Sequence, residues 1–315
     1  MALSILSPEV LQCRLGEGTP PALIDVLVDE HFKAVHLPGA VNVCVYEIVF
    51  LENMAKLIPD KDREIVVYGS GDRSLEALNA AEKLVNAGYR NVGMLQGGLD
   101  GWKALGYAVE GEDTAILQRP EPAVPFEDAR YVVDTEQSVI NWFGRNRTTT
   151  HRGTLRFSSG EFSFTNGELK GAFEVDMTSI QNIDLEGDPL QPHLIGHLKS
   201  VDFFFVDMFP RAFFTITSAK RIEEVPSSIP NFSVQGFFDL RGVKKEIAFV
   251  ATASPLQDGE VRVEAHFDID RSRWGVLYGS SRFFEHLGYH LVYQPISLHL
   301  RLAAQIIKTS ASDRK

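Results

Sequence analysis

The strongest constraint on the fold is a change in hydrophobic period partway along the chain. In residues 261–270 (VRVEAHFDID), Val261, Val263, Ala265, Phe267 and Ile269 share one face, and Arg262, Glu264, His266, Asp268 and Asp270 share the other. Residues 296–302 (ISLHLRL) repeat the pattern, with Ile296, Leu298, Leu300 and Leu302 alternating with polar partners. Side chains of a strand alternate between faces, so this period specifies antiparallel sheet with one apolar and one wet face. Phe162 and Phe164 precede Asn166-Gly167, and Leu169, Gly171, Phe173 and Val175 follow it; Asp258-Gly259 offers a second turn. Such dipeptides between alternating runs mark hairpins. About eight segments of this kind after Tyr131 predict an antiparallel sandwich or closed barrel.

Before residue 126 the pattern is different. Of 21 Phe, only Phe32 and Phe50 lie in residues 1–125. That disparity in core chemistry divides the 315-residue chain into two domains, as its length allows. Between them, residues 110–129 hold Pro120, Pro122 and Pro125 among acidic residues, the composition of an extended linker. The expected organisation is a first domain over 1–110, a linker over 111–129, a second domain over 130–308 and a polar tail over 309–315.

In the first region, Ser7-Pro8-Glu9 reads as a helix start, with Ser at the N-cap and Pro at the first helical position. LIDVL (23–27), IVVY (65–68) and VGML (92–95) are short apolar runs suited to strands buried on both faces of a parallel sheet. Residues 74–87 form a helical pattern, with Leu75, Leu78, Ala81, Leu84 and Val85 on one face and Gly88 just past the end. Strands alternating with helices predict an α/β domain.

LIDVL, VHLPGAVNV (35–43), IVVYGSGDRS (65–74) and LQGGLDGW (95–102) together resemble the rhodanese domain over about residues 4–110. The resemblance implies a loop after the central strand that carries sulfur as a cysteine persulfide. Loop amides at a helix N-terminus would favour the thiolate. Here the loop is Gly69, Ser70, Gly71, Asp72 and Arg73, about one residue short and without cysteine, and Leu27 stands where the family often has Arg. Cys13 and Cys44 lie outside it. Three readings stay open: a non-catalytic packing or interaction module that takes a protein partner, an anion site using the loop amides and Arg73, opposed by Asp72, or Ser70 as a substitute nucleophile. Residual sulfur transfer through Cys13 or Cys44 is the corresponding enzyme alternative.

In the second region, YVVDTEQSVINWFG (131–144), THRGTLRFSSGEF (150–162), FEVDMTSI (173–180), HLKSVDFFFVDMFPRAFFTIT (197–217), GFFDLRGVKKEIAF (236–249) and IDRSRWGVLYGSSRFF (269–284) resemble the YceI-like family over about residues 130–305. The resemblance implies a lipocalin-like antiparallel barrel that binds a polyisoprenoid lipid, polyprenyl or quinone-like, in an elongated apolar cavity. The expected fold is therefore an α/β rhodanese-like parallel sheet followed by an all-β barrel. Candidate lipid-binding residues are Ile140, Trp142, Phe162, Phe164, Phe173, Phe267, Trp274, Tyr278, Phe283 and Phe284. Arg271, placed at the mouth if the 261–269 strand continues regularly, is either a headgroup donor or one half of a salt bridge to Asp270 or another acid. Aromatic walls offer apolar area at little entropic cost; a solid aromatic core is the competing reading. Tyr289-His290-Leu291-Val292 departs from the acidic character expected after RFFEHLG.

His193 and His197 stand at zinc-compatible spacing but lack a third ligand, so no metal is expected; His266 and His299 read as solvated. No cofactor other than a bound lipid is expected. The net charge of -11 opposes general nucleic-acid binding. No apolar run reaches the roughly 18 residues of a spanning helix, so no integral membrane segment is expected, and the N-terminus does not read as a signal peptide. The expected location is cytoplasmic.

Overall fold

Ile65-Val66-Val67-Tyr68 has no polar member, and all four side chains are buried. In the computed structural model, which describes residues 3–112, 126–165, 168–223, 225–226 and 228–307, this run is the middle strand of a five-stranded parallel sheet. The strands are β1 (Ser4–Leu6), β2 (Ala22–Asp25), β3 (Val41–Asn42), β4 (Ile65–Tyr68) and β5 (Val92–Leu95), in the order β1-β5-β4-β2-β3. Ile65 and Val67 enter one apolar cluster with Phe50, Met54, Ala80, Ala81 and Leu84. Val66 and Tyr68 enter another with Leu11, Leu37, Leu99 and Trp102. Alternation along a strand covered on both faces thus builds two cores from one sheet. The covering helices are α1 (Pro8–Leu15), α2 (Asp29–Ala34), α3 (Phe50–Leu57), α4 (Glu76–Asn86) and α5 (Gly98–Ala104).

Ser7 caps α1, its side chain accepting from the Val10 amide, and Pro8 opens the helix. The expected apolar face of α4 holds at Ala81 and Leu84, with Val85 packed against the same core, and is corrected at Leu75 and Leu78. Leu75 and Leu78 are exposed, and Glu76, Ala80, Ala81 and Leu84 are the buried set. Small alanines let α4 approach the sheet, so its buried stripe is rotated from the one drawn by leucines.

The chain clusters into two compact units, Met1–Pro120 and Glu121–Lys315. The expected linker over 111–129 falls mostly outside the described residues, and the tail over 309–315 falls wholly outside them. In the second unit, β6 (Ala129–Arg145), β7 (Thr150–Thr165), β8 (Glu168–Asn182), β9 (Arg211–Arg221), β10 (Phe232–Leu240), β11 (Val243–Pro255), β12 (Glu260–Asp270) and β13 (Pro295–Ile307) close into a barrel. Each strand pairs antiparallel with its sequence neighbours, and β13 returns to β6. Asn166-Gly167 lies outside the described residues, but the flanking strands pair through Thr165 and Glu168. Asp258 and Gly259 take φ of 66° and 78°, the left-handed region their types tolerate.

Up-and-down connectivity puts alternate connections at opposite ends. One end receives the β6–β7 turn, residues 183–210 with α6 (Gln191–Lys199), the Arg241-Gly242 turn and residues 271–294.

Candidate functional site

The inward faces of the barrel strands form a wall of aliphatic and aromatic side chains. Phe173 on β8 lies 6.3 Å from Phe214 on β9, Phe214 lies 5.6 Å from Phe249 on β11, and Phe249 stacks on Phe267 of β12 at 4.3 Å. Phe214 crosses the intervening β10 because Gly236 stands there. A Cβ at Gly236 would come within 2.6 Å of the Phe214 ring and 2.4 Å of the Thr215 carbonyl. Phe173, Phe214, Phe249 and Phe267 are only half-buried although they point inward, because they surround empty space. That cavity measures about 270 Å3 and runs through the barrel. An eight-stranded barrel is wide enough either to fill with side chains or to hold one small ligand; this one is hollow.

Of the candidate wall residues, Ile140, Trp142, Phe162, Phe173, Phe267 and Arg271 line the cavity. Phe164 is buried outside the lining, packed with Phe126, which also meets Phe232 at 5.3 Å. Trp274 is fully buried but belongs to the core beside the cavity, its Nε1 donating to the Phe238 carbonyl at 3.0 Å. Tyr278 packs against His197 and Phe203 rather than on the cavity. Phe283 and Phe284 are corrected outright. They are 50% and 48% exposed, in the 271–294 connection, which leaves the sheet and its inward-outward alternation.

Arg271 differs from both expectations. The strand ends at Asp270, whose carboxylate accepts from the Ser272 amide and hydroxyl and turns the chain into a 3-10 turn. Arg271 is thereby buried, and its guanidinium donates to the carbonyls of Val276 (2.7 Å), Tyr278 (2.7 Å), Val292 (3.0 Å) and Tyr293 (3.1 Å). Burial draws its pKa below the usual guanidinium value. Asp270 instead approaches Arg282. The donors expected for a headgroup are therefore spent on the 271–294 connection.

At the same end the cavity is lined by Arg145, Asn146 and His151 from the β6–β7 hairpin, Leu194 and Leu198 from α6, and Phe203 and Phe204 after it. Sequence reading did not select these residues, because α6 and the hairpin reach the cavity through connections rather than through strand period. Several of their polar atoms are engaged. Asn146 Oδ1 accepts the Thr148 and Thr149 amides, His151 Nδ1 meets Asp184 at 2.8 Å, and Arg145 donates to Ser297. Burial works against the Asp184 carboxyl ionising, but bonds from the Arg152 amide, His151 and Asn182 prevail and hold its pKa low. The indole Nε1 of Trp142 is buried with no hydrogen-bond partner among the described residues.

In the first unit, the loop Gly69 to Arg73 is braced against α5. The Gly69 and Ser70 carbonyls accept the Leu99 and Asp100 amides, and Asp72 Oδ1 accepts the Gly97 amide at 2.7 Å. Ser70 Oγ donates to Glu76 Oε1 at 3.3 Å, and Glu76 Oε2 is buried without a partner among the described residues. A carboxylate thus lies under the loop, where it repels an anion, and Arg73 is exposed. Cys13 is exposed and Cys44 buried, both as free thiols. The His193–His197 pair gathers no third ligand among the described residues; His197 Nε2 faces Asp202 at 3.2 Å.

Comparison with known proteins matches residues 131–304 to the YceI-like domain family and residues 7–105 to the rhodanese-like domain family. The chain is 34% identical over 108 residues to an HTH-type transcriptional regulator of Mycobacterium tuberculosis, covering 34% of this chain and 44% of that protein. It is 38% identical over 100 residues to the probable adenylyltransferase/sulfurtransferase MoeZ of the same organism, covering 31% and 24%. The chain thus spans less than half the length of these curated relatives. Among solved structures, BcnA of Burkholderia cenocepacia is 16% identical, covering 55% of this chain and 99% of its own, with a TM-score of 0.43. A polyisoprenoid binding domain from Saccharophagus degradans is 16% identical, covering 56% and 98%, with a TM-score of 0.40.

Proposed function

The chain belongs to the YceI-like family, and on that footing we propose that its barrel carries one isoprenoid-chain lipid, a polyprenyl compound or a lipid quinone. The observation that carries this reading is the hollow interior: inward-facing rings that stay half-exposed around an apolar cavity. Each methylene moved from water into such a wall is worth about 0.8 kcal/mol, so a branched hydrocarbon chain gains affinity with every unit it inserts, offset by the cost of association.

Recognition in this reading belongs to the chain rather than the headgroup. The Arg271 guanidinium borders the cavity but is spent on four carbonyls, and at the same end His151 Nδ1 meets Asp184 and Arg145 donates to Ser297. A tight phosphate clamp would need free, convergent donors. Among the described residues no helix is long and apolar enough to cross a membrane. The free thiols Cys13 and Cys44 suit a reducing, cytoplasmic setting.

The rhodanese-like unit is read as a non-catalytic module that engages a protein partner. Its loop has no cysteine, and the Glu76 carboxylate of α4 lies against it.

Delipidated full-length protein incubated with polyprenols and long-tailed quinones of graded length, then analysed by native mass spectrometry, tests the proposal. One lipid per chain is expected, with retention rising with tail length and little affected by headgroup. Leu300→Trp, which fills the cavity from its wall, is expected to cut retention about ten-fold or more. Failure to retain any of these chains would overturn the reading.

A further inference from the structure

The outer face of the barrel brings together three side chains that sequence reading left solvated. Glu264 and His266 are two residues apart on β12 and both point outward. His299 on β13 is the direct cross-strand partner of His266, and their rings stack with centroids 4.0 Å apart. One oxygen of Glu264 and one ring nitrogen of each histidine lie within 4.8 Å of one another. We propose that Glu264, His266 and His299 bind a divalent transition-metal cation, with zinc as the type, on the outside of the β12–β13 pair.

Two imidazoles and a carboxylate form a donor set suited to zinc, copper or nickel; magnesium and calcium prefer oxygen ligands alone. Tetrahedral zinc with ligand bonds of about 2.1 Å needs donors roughly 3.4 Å apart. Closing to that spacing means unstacking the two rings and releasing the His299–Glu264 hydrogen bond, side-chain rotations that are open because Glu264 and His266 are exposed and His299 is partly so. The backbone placement is fixed by the register that runs from Glu260–Gln305 to Asp270–Pro295.

The carboxylate is already poised. Glu264 Oε1 lies 2.7 Å from His299 Nε2 and 3.9 Å from Arg301 Nε. The other acid nearby does not compete for the cation. Asp268 is engaged by the Ser297 hydroxyl, which Arg145 also contacts; Arg301 lies beside the Glu264 carboxylate and has to swing into solvent, where most of its side chain already is, for the cation to bind. The fourth position opens to solvent, leaving room for water or an exogenous ligand. Occupied, the site would clip together the two strands that lead into and out of the 271–294 connection.

The test uses chelator-treated full-length protein without lipid, so it is independent of the carrier reading. Titration with zinc chloride by calorimetry is expected to show one site. Titration with cobalt(II) chloride is expected to give the visible bands of a low-symmetry complex. His266→Ala and His299→Ala should each weaken zinc binding about ten-fold or more, while His193→Ala on α6 leaves it unchanged. In wild-type NMR spectra, cobalt should displace the ring signals of His266 and His299 before those of other histidines, a readout that needs no variant to fold. Absence of zinc binding, undiminished binding in a His266→Ala/His299→Ala double variant, or earlier displacement of other histidines would each overturn the assignment.

Discussion

Arg271 binds Val276 across the turn that ends β12, with Nη1 donating to its carbonyl at 2.7 Å. Three more carbonyls of the same connection, those of Tyr278, Val292 and Tyr293, take the other bonds of this guanidinium. Truncation to Met would leave them without a buried donor, at about 1–3 kcal/mol for each group left unsatisfied. Arg271→Met is expected to destabilise the barrel by about 3 kcal/mol or more, read as the loss in urea unfolding followed by circular dichroism. Arg271→Lys should recover only part of this, since an ammonium cannot fan out to four carbonyls.

Two tryptophans predict opposite outcomes for the same substitution. Trp274 Nε1 donates to the Phe238 carbonyl, and Trp142 Nε1 is buried without a partner among the described residues. Trp274→Phe should cost about 1–3 kcal/mol through the orphaned acceptor and lost volume. Trp142→Phe removes an unsatisfied donor and is expected to be nearly neutral or stabilising in the lipid-free protein. Thermal unfolding of the two variants side by side provides the measurement.

Restoring a thiol should not restore sulfur chemistry. A Cys at position 70 would lie beside Glu76, whose Oε1 is 3.3 Å from Ser70 Oγ. A neighbouring carboxylate disfavours the thiolate. Ser70→Cys is expected to leave thiosulfate:cyanide turnover at background, with a thiol that alkylates only above the ordinary cysteine pKa of about 8.5. Ser70→Cys/Glu76→Gln should shift the alkylation profile to lower pH.

Asp25 is fully buried at the end of β2, and burial raises its carboxyl pKa despite bonds from the Leu27 amide and from Tyr68 and Asn42. The folded state therefore binds this proton more tightly than the unfolded chain. The associated stability is fully present below the unfolded value of about 3.9 and is lost as pH rises through the raised folded value. Asp25→Asn removes that dependence. Its stability relative to wild type should rise with pH across this window and level off above it. Hydrogen exchange of the β2 and β4 amides in the full chain, from pH 4 to 8, is the measurement.

Local period made much of the fold legible in the sequence. The alternation from Val261 to Ile269 places each of these residues on the side observed, and Ser7-Pro8 marks the start of α1. Period fails where a strand stops. The strand ends one residue before Arg271, and Phe283 and Phe284 lie where no sheet imposes an inward face. The meeting of His266 with His299 was hidden for a different reason. It depends on a register set across an intervening connection, and neither strand alone encodes it.

Closure of the eight strands bears on how a guest gets in and out. Sliding sideways between β12 and β13 would mean unzipping the paired run from Glu260 to Asp270, whereas β11 meets β12 only from Ala251 to Pro255 and the β6–β7 pairing breaks between Val132 and Ile140. On the continuously paired β12–β13 side, traffic is directed to an end of the cylinder. Residence time and affinity become separable properties: the lining sets how tightly a guest is held, and the floor and ceiling set how often the door opens.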